Sequence, residues 1–159
     1  MQKSFLSNVY GVLNSVYAFL PLIRKGNLKK VTAISSGMSD LDFINETSLA
    51  VAAPYAISKA ALSTLFAKLN AAYSKEGILF MSVCPGFVDT DGVKPPENPC
   101  MAARTAAAVE VLNQYAGGNL SMMKPTESAT KILALVERSS LEGGHGGSFR
   151  SHNGTRRWM

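Results

Sequence analysis

Tyr55 and Lys59 stand four residues apart in an apolar, alanine-rich stretch, VAAPYAISKAAL, and they carry its one phenol and its one ammonium group. In a helix, side chains at positions i and i+4 project from the same face. An ammonium group beside a phenol favours the phenolate, which lowers the pKa of the tyrosine and makes it a usable acid or base near neutral pH. The spacing therefore indicates acid–base chemistry on a helix.

The tyrosine–lysine pair is weak evidence when taken alone. The chain has 159 residues, of which five are tyrosines and ten are lysines, so about 0.3 such pairs are expected by chance. The alternative interpretation is a core tyrosine beside a surface lysine. The elements around the pair must decide between the two.

Helical and strand-like segments alternate along the first half of the chain. Apolar side chains at helical spacing predict a helix over residues 4–24, and the β-branched run KKVTAISS predicts a buried strand after it. Residues 37–50 are polar and rich in turn formers, so we expect a loop there. Residues 52–75 predict a long helix that carries the phenol and the ammonium group.

The second half of the chain continues the alternation. ILFMSVCPG predicts a second buried strand that stops at Pro85-Gly86, and residues 100–116 predict a helix. KPTESATKILALVERS predicts another helix with Thr126 as its N-cap, and GGSFRSH predicts a last short strand. Strands separated by helices pair in parallel, so the pattern predicts a single α/β domain, residues 1–159. Ligands of such sheets bind beyond the carboxyl ends of the strands.

Composition narrows the function classes. Hydrophobic residues make up 47% and charged residues 17% of the chain, which is typical of a globular protein. No apolar run approaches the roughly 18 residues that span a bilayer, so we expect no membrane partner.

Cys84 and Cys100 form no C-x-x-C pair and fit a reducing, cytoplasmic compartment. The +5 charge is scattered without a nucleic-acid motif, and His145 and His152 have no companion ligands for a metal.

Four motifs, in this order, carry a family resemblance: SNVYG, VTAISSG, PYAISKAAL and SVCPGFVDT. The Tyr-x-x-x-Lys helix, the serine that ends the strand before it and the Pro-Gly after the next strand resemble the short-chain dehydrogenase/reductase family of the classical type. The closing GGHGGSFRSHNGTRRWM is similar to the end of fungal carbonyl-reductase-like members. The resemblance implies a Rossmann-like fold and NAD(P)-dependent oxidation or reduction of a small alcohol or carbonyl compound.

The resemblance implies a catalytic role for each of four residues. Tyr55 would protonate the substrate carbonyl oxygen, and Lys59 would lower the Tyr55 pKa and bind the nicotinamide ribose. Ser36 would donate a hydrogen bond to the carbonyl oxygen, with its neighbour Ser35 as the less favoured candidate. Asn8 would hold a water in a proton relay through Lys59.

The cofactor residues implied by the resemblance follow the second strand. Pro85, Gly86 and Val88 would line the nicotinamide, and Thr90 would contact the carboxamide or the pyrophosphate, together with the tyrosine and lysine of the helix. Simpler roles stay open for some candidates: Asn8 as a helix-start residue, the serine as a strand end, and Thr90 as a loop-capping hydroxyl.

The sequence departs from the family pattern in two ways. The interval from Ser36 to Tyr55 is 19 residues, which is longer than usual, and we expect this insert to border the substrate pocket. The family's T-G-x-x-x-G-x-G turn, where a helix N-terminus holds the pyrophosphate, and its N-N-A-G motif are both missing from the chain. We therefore expect the catalytic C-terminal half of a Rossmann fold, with a partial sheet of about three strands and an unpaired edge on the first of them.

Two functions follow from this pattern. The first is an NAD(P)-dependent oxidoreductase that is weak or inactive as this chain alone, with the preference for NAD or NADP left open. The second is a non-catalytic module that binds other subunits. In the family, the helices matching residues 4–24 and 52–75 pack against a partner, so a homo-oligomer is expected in either case.

Overall fold

A computed structural model of the chain describes residues 1–90 and 97–159. Its sheet contains strands β1 (Lys30–Ile34), β2 (Leu79–Cys84) and β3 (Phe149–Ser151), which lie in the order β1-β2-β3. Both pairs are parallel. The predicted α/β fold with a short parallel sheet of three strands is confirmed.

Five helices flank the described sheet, and their bounds lie within two residues of the predicted ones where a helix was predicted. The first helix contains a π-helical turn at Leu6–Gly11 and ends at Lys25, with Gly26 as its C-cap. The helices are α1 (Gln2–Lys25), α2 (Leu41–Thr47), α3 (Ala53–Tyr73), α4 (Pro99–Tyr115) and α5 (Pro125–Arg138).

Two local predictions are wrong. Residues 37–50 are not a loop, because a 3₁₀ turn and helix α2 occupy most of them. Asp40 caps α2 by accepting a hydrogen bond from the Phe43 amide at 2.9 Å, and the Phe43 ring is buried. Thr126 is not the N-cap of α5, because the helix begins at Pro125, whose fixed φ suits the first helical position.

Strand β2 is the centre of the core because all six of its residues are buried. One side of the sheet packs against α1 and α3, and the other side packs against α5. Burial on both faces explains the continuous apolar run that predicted this strand. The residues of the first cluster are Val16, Leu20, Ala33, Leu62, Phe66, Leu69, Ile78 and Phe80, and those of the second are Leu79, Met81, Val83 and Leu135.

The outer edge of β1 pairs with no strand among residues 1–90 and 97–159. A groove of about 600 Å³ runs between this edge and α1, with Phe19, Ile23 and Ile34 among the residues that line it. An apolar, unpaired edge of this kind is a surface on which another strand can pair. It lies at the first strand, as the sequence led us to expect.

Helix α1 is long and apolar enough to cross a membrane, so the prediction that no segment would reach this length is wrong. By length and composition alone, a mostly buried core helix and an N-terminal signal sequence pass the same test, and 11% of the apolar window of α1 is buried. In this structure Val16 and Leu20 of α1 pack into the core against α3. The length of the helix therefore assigns no membrane role to it.

A matched pair of phenylalanines tests the position of the core. Phe66 is 2% exposed between α3 and the sheet, whereas Phe19 on α1 is 60% exposed. We expect Phe66→Ala to lower the free energy of unfolding by about 3–5 kcal/mol, because it leaves a cavity. Phe19→Ala is expected to change it by about 0.5 kcal/mol or less. Urea unfolding of the 159-residue chain measures both values, and equal losses would contradict this core.

Candidate active site

Tyr55 and Lys59 lie in the first two turns of α3. The second residue of this helix is Pro54, and proline is favoured in the first turn of a helix. The Tyr55 side chain is 38% exposed. The Lys59 Nζ atom lies 5.7 Å from the centre of the Tyr55 ring and donates a hydrogen bond to the Ile34 carbonyl oxygen at 2.8 Å. The helix thus places both groups on one face, at the carboxyl end of β1.

The two serines after β1 point in different directions, as successive residues of an extended chain do. The buried Ser35 hydroxyl lies 2.8 Å from the Ser63 Oγ atom and also donates to the Lys59 carbonyl oxygen at 3.2 Å. Ser36 is half-buried, and its Oγ atom accepts a hydrogen bond from the Met38 amide at 3.3 Å. Its hydroxyl favours the ionised form of the Tyr55 phenol and so lowers the Tyr55 pKa. Ser36 is therefore the serine that faces the tyrosine, and Ser35 holds β1 against α3.

The electrostatics around Tyr55 differ from the expectation. Burial raises the Tyr55 pKa above its ordinary value, the Ser36 hydroxyl opposes this shift, and the nearby Cys84 adds to it. Burial also lowers the Lys59 pKa. The net shift is opposite to the expected lowering because burial is its largest cause. The Lys59 ammonium group donates to the Ile34 carbonyl oxygen in this structure, and the lowering of the Tyr55 pKa by Lys59 stays a prediction.

Asn8 lies in the π-helical turn of α1, a type of turn that is frequent at functional sites. Its Nδ2 atom donates a hydrogen bond to the Ser58 Oγ atom at 2.9 Å, and Ser58 in turn donates to the Tyr55 carbonyl oxygen at 2.7 Å. Asn8 therefore ties α1 to the turn of α3 that carries Tyr55. Its role in a water relay through Lys59 stays a prediction.

The loop after β2 is held in one conformation by its neighbours. Gly86 has a φ of +83°, and a Cβ atom there would overlap the Met123 methyl carbon and lie 2.8 Å from the His152 ring. Only glycine fits both the left-handed backbone and this close approach. The Ser128 hydroxyl of α5 also donates to the Pro85 carbonyl oxygen at 2.7 Å.

The rest of this loop pairs with the segment that precedes α5. Val88 forms a parallel bridge with Met123, whose amide donates to the Phe87 carbonyl oxygen at 2.8 Å. Thr90 is exposed at the end of the first described segment. Pro85 and Gly86 thus lie at the carboxyl end of β2. The neighbouring strand, β1, ends just before Ser35 and Ser36.

Sequence reasoning missed three residues that shape the site. Cys84 accepts a hydrogen bond from the Gly37 amide at 3.1 Å, so the second strand supports the turn after Ser36. His152 packs under Gly86, and Trp158 packs under Gly37. Sequence spacing carries no signal for these contacts, because each joins residues that are distant along the chain.

Comparison with known proteins now gives the class of protein. A family model described as short chain dehydrogenase matches residues 1–99 of this chain. This match covers more than half of the chain, including α1, β1, α3, β2 and the loop after β2. The chain belongs to the short-chain dehydrogenase family.

Several fungal proteins are similar in sequence. The short chain dehydrogenase virK of Hypocrea virens is 41% identical over 157 residues, which are 99% of this chain and 58% of that protein. The short-chain dehydrogenase/reductase AacuF of Aspergillus aculeatus is 43% identical over 158 residues, with the same two shares. The chain therefore spans little more than half the length of these relatives.

Two solved structures share the fold. An NADPH-bound carbonyl reductase from chicken fatty liver has a TM-score of 0.70 and 21% identity, covering 98% of this chain and 57% of that one. The carbonyl reductase Sniffer of D. melanogaster has a TM-score of 0.65 and 18% identity, with the same coverage. At these identities the likeness supports the Rossmann-like fold alone.

The arrangement predicts the direction in which Ser36 acts on Tyr55. We expect Tyr55 to titrate above the ordinary tyrosine pKa, and Ser36→Ala to raise its pKa further, because the serine favours the phenolate. NMR of the tyrosine rings against pH measures this, with Tyr55→Phe to assign the signal. An unchanged or lower pKa in Ser36→Ala would contradict the contact.

Proposed function

We propose that this chain carries the catalytic residues of an NAD(P)-dependent oxidoreductase acting on a carbonyl or alcohol group. The supporting observation is that Ser36, Tyr55 and Lys59 come together at the carboxyl ends of parallel strands from separate parts of the sequence. This is the edge at which open α/β sheets bind ligands. Family membership agrees with the proposal.

The roles follow from what each group can do. The Tyr55 pKa is raised, so the phenol is protonated at neutral pH and can donate its proton to a carbonyl oxygen. The Ser36 hydroxyl can stabilise the negative charge that develops on the same oxygen. Lys59 uses one N–H group on the Ile34 carbonyl oxygen, which leaves two donors for a ribose hydroxyl. Asn8 completes the proposed catalytic set.

A nicotinamide cofactor, when bound, supplies or accepts the hydride. Pro85, Gly86, Val88 and Thr90 are the proposed contacts for it, together with Tyr55 and Lys59. The loop after β2 fits this use, because its backbone is fixed by the packing of Gly86 against Met123 and His152 and by the Ser128 hydrogen bond to Pro85. We leave the choice of NAD or NADP open.

We further propose that residues 1–159 form one domain equivalent to the catalytic half of a Rossmann fold, acting in the cytoplasm. The chain alone should bind nucleotide weakly, because it contains no Gly-rich turn of the type that holds a pyrophosphate. The open edge of β1 and the groove beside it suit this view, since a further strand could pair there.

The second candidate function is an oligomerisation module. Leu6, Tyr10 and Tyr17 are exposed on α1, and Ile57 is exposed on α3. The three α1 residues have helical spacing and share one face, which differs from the groove beside Phe19. An apolar face of this kind fits a second copy of the chain, and it is compatible with either function.

Replacement of Tyr55 tests the proposed chemistry. Tyr55→Phe is expected to lower turnover of a carbonyl panel roughly 10²–10⁴-fold, because it removes the proton donor. Nucleotide binding, followed by NADPH and NADH fluorescence, should be weak in the chain and equal in the variant. Turnover is assayed in two proteins. The first is the 159-residue chain, and the second is a chimera that joins this chain to the part of the Hypocrea virens protein outside the matched region. Unchanged turnover in Tyr55→Phe would reject this role.

Charge substitutions test the oligomer. We expect Tyr10→Glu combined with Tyr17→Glu to lower the mass measured by light scattering after gel filtration, because two carboxylates would be buried at the interface. Leu133→Glu is the control, since Leu133 is exposed on the separate helix α5. A monomeric wild-type chain would contradict the prediction. A mass lowered only by Phe19→Glu would place the interface in the groove instead.

A further inference from the structure

The turn that follows Ser36 rests directly on the C-terminal segment Arg156–Met159. An added Cβ atom at Gly37 would lie 2.6 Å from the Trp158 Cγ atom and 2.7 Å from its Cβ atom. Such distances are shorter than van der Waals contact allows, so no larger residue fits without movement. Glycine is therefore needed at this position because of Trp158, and the indole fixes how closely the Ser36–Gly37 backbone approaches the sheet.

Trp158 is itself held rigidly. Its side chain is 1% exposed and stacks on Phe149 of β3, with ring centroids 4.4 Å apart and an interplanar angle of 22°. It belongs to a buried cluster with Phe43 of α2 and Cys84 of β2. Since Cys84 also accepts the Gly37 amide hydrogen bond, the turn is supported by two neighbouring side chains from distant parts of the sequence.

Arg156 holds the next part of the same segment. Its Nη2 atom lies 2.6 Å from the Asp40 Oδ2 atom, and the Asp40 side chain is only 8% exposed. Asp40 uses its other carboxylate oxygen to cap α2 through the Phe43 amide. The ion pair thus joins an exposed guanidinium group, 66% accessible, to a buried carboxylate that also caps a helix.

Arg157 adds a second attachment to α2 and one to α4. Its Nη1 atom lies 3.4 Å from the Glu46 Oε1 atom, and its guanidinium group lies 4.6 Å from the centre of the Tyr115 ring. Arg156, Arg157 and Trp158 therefore make contacts in three places. Trp158 contacts the turn after Ser36, the two arginines contact the two ends of α2, and Arg157 also contacts α4. Gly37, Asp40 and Glu46 are thus all in contact with this segment.

We propose that the C-terminal segment Arg156–Met159 positions Ser36, with Trp158 and Arg156 as the positioning residues. The Trp158 indole sets how closely the Gly37 turn packs on its neighbours, and Arg156 sets the position of α2 through the Asp40 carboxylate. It touches neither Tyr55 nor Lys59 in the contacts described, so it acts on the site through the serine. This inference rests on the proposed role of Ser36 at the Tyr55 hydroxyl.

The test compares three variants with Ser36→Ala, using the Tyr55 pKa measured by tyrosine NMR. Trp158→Ala removes the indole and is expected to raise the Tyr55 pKa toward the value in Ser36→Ala, because the serine moves away from the phenol. Trp158→Phe keeps the Cβ and Cγ atoms that contact Gly37 and a ring to stack on Phe149, so it should restore the wild-type value. Arg104→Gln, on the exposed face of α4, is the control for lost charge.

A double variant separates positioning from general loosening of the fold. Both variants are made in a Cys84→Ala background, because Cys84 packs with Trp158 and also acts on the Tyr55 pKa. There, Trp158→Ala combined with Ser36→Ala should titrate like Ser36→Ala alone, because the remaining route from the indole to Tyr55 runs through the serine. An additive shift in the double variant, or a wild-type Tyr55 pKa in folded Trp158→Ala, would overturn the proposal. If Trp158→Ala does not fold, as judged by circular dichroism, Arg156→Gln takes its place with the same expected direction, and an unchanged Tyr55 pKa overturns the proposal equally.

The readout needs no nucleotide and no substrate. Absence of turnover in every assay would reject the proposed oxidoreductase function and leave the Tyr55 titrations unaffected. An unchanged titration in an active protein would instead reject the positioning role alone. The two proposals can therefore fail separately.

Discussion

The parallel pairing of β1 with β2 is the constraint on which the site depends. The register sets Lys30 opposite Leu79 and Ile34 opposite Val83, and the Ser35 amide extends the ladder by donating to the Val83 carbonyl oxygen at 2.8 Å. Both strands therefore end at the same level of the sheet. Because β2 is buried on both faces, a slip of one residue would exchange the side chains that pack against α1 and α3 with those that pack against α5. The serine and the Pro-Gly loop are neighbours for this reason.

Placing a phenol and an ammonium group at that edge has an electrostatic consequence. Burial raises the Tyr55 pKa and lowers the Lys59 pKa, so both groups are pushed toward their neutral forms. Ser36 is the neighbour that favours the phenolate. The lysine stabilises the end of β1 through the Ile34 carbonyl oxygen instead. The raised pKa keeps the Tyr55 phenol protonated at neutral pH, which agrees with the proposed role of a proton donor, and the position of Ser36 opposes this shift.

Sequence reasoning predicted the parts of this arrangement that local pattern encodes. The period of apolar residues gave α1, α3 and β2, and the four-residue spacing placed Tyr55 and Lys59 on one face. It failed at residues 37–50, where a polar composition concealed one buried ring, Phe43, and the Asp40 cap beneath it. It also gave the wrong net direction for the Tyr55 pKa, because the burial of the phenol is set by tertiary packing.

The contacts that no local pattern encodes are those of the C-terminal segment. Gly37 carries no positive φ to signal a special turn, so its requirement for glycine comes entirely from Trp158, which lies far along the chain. The serine that faces Tyr55 is therefore specified by two separate parts of the sequence. One is the strand that ends beside it, and the other is the indole beneath the next residue. A change to either part should alter the environment of Tyr55 while the tyrosine and lysine themselves stay intact.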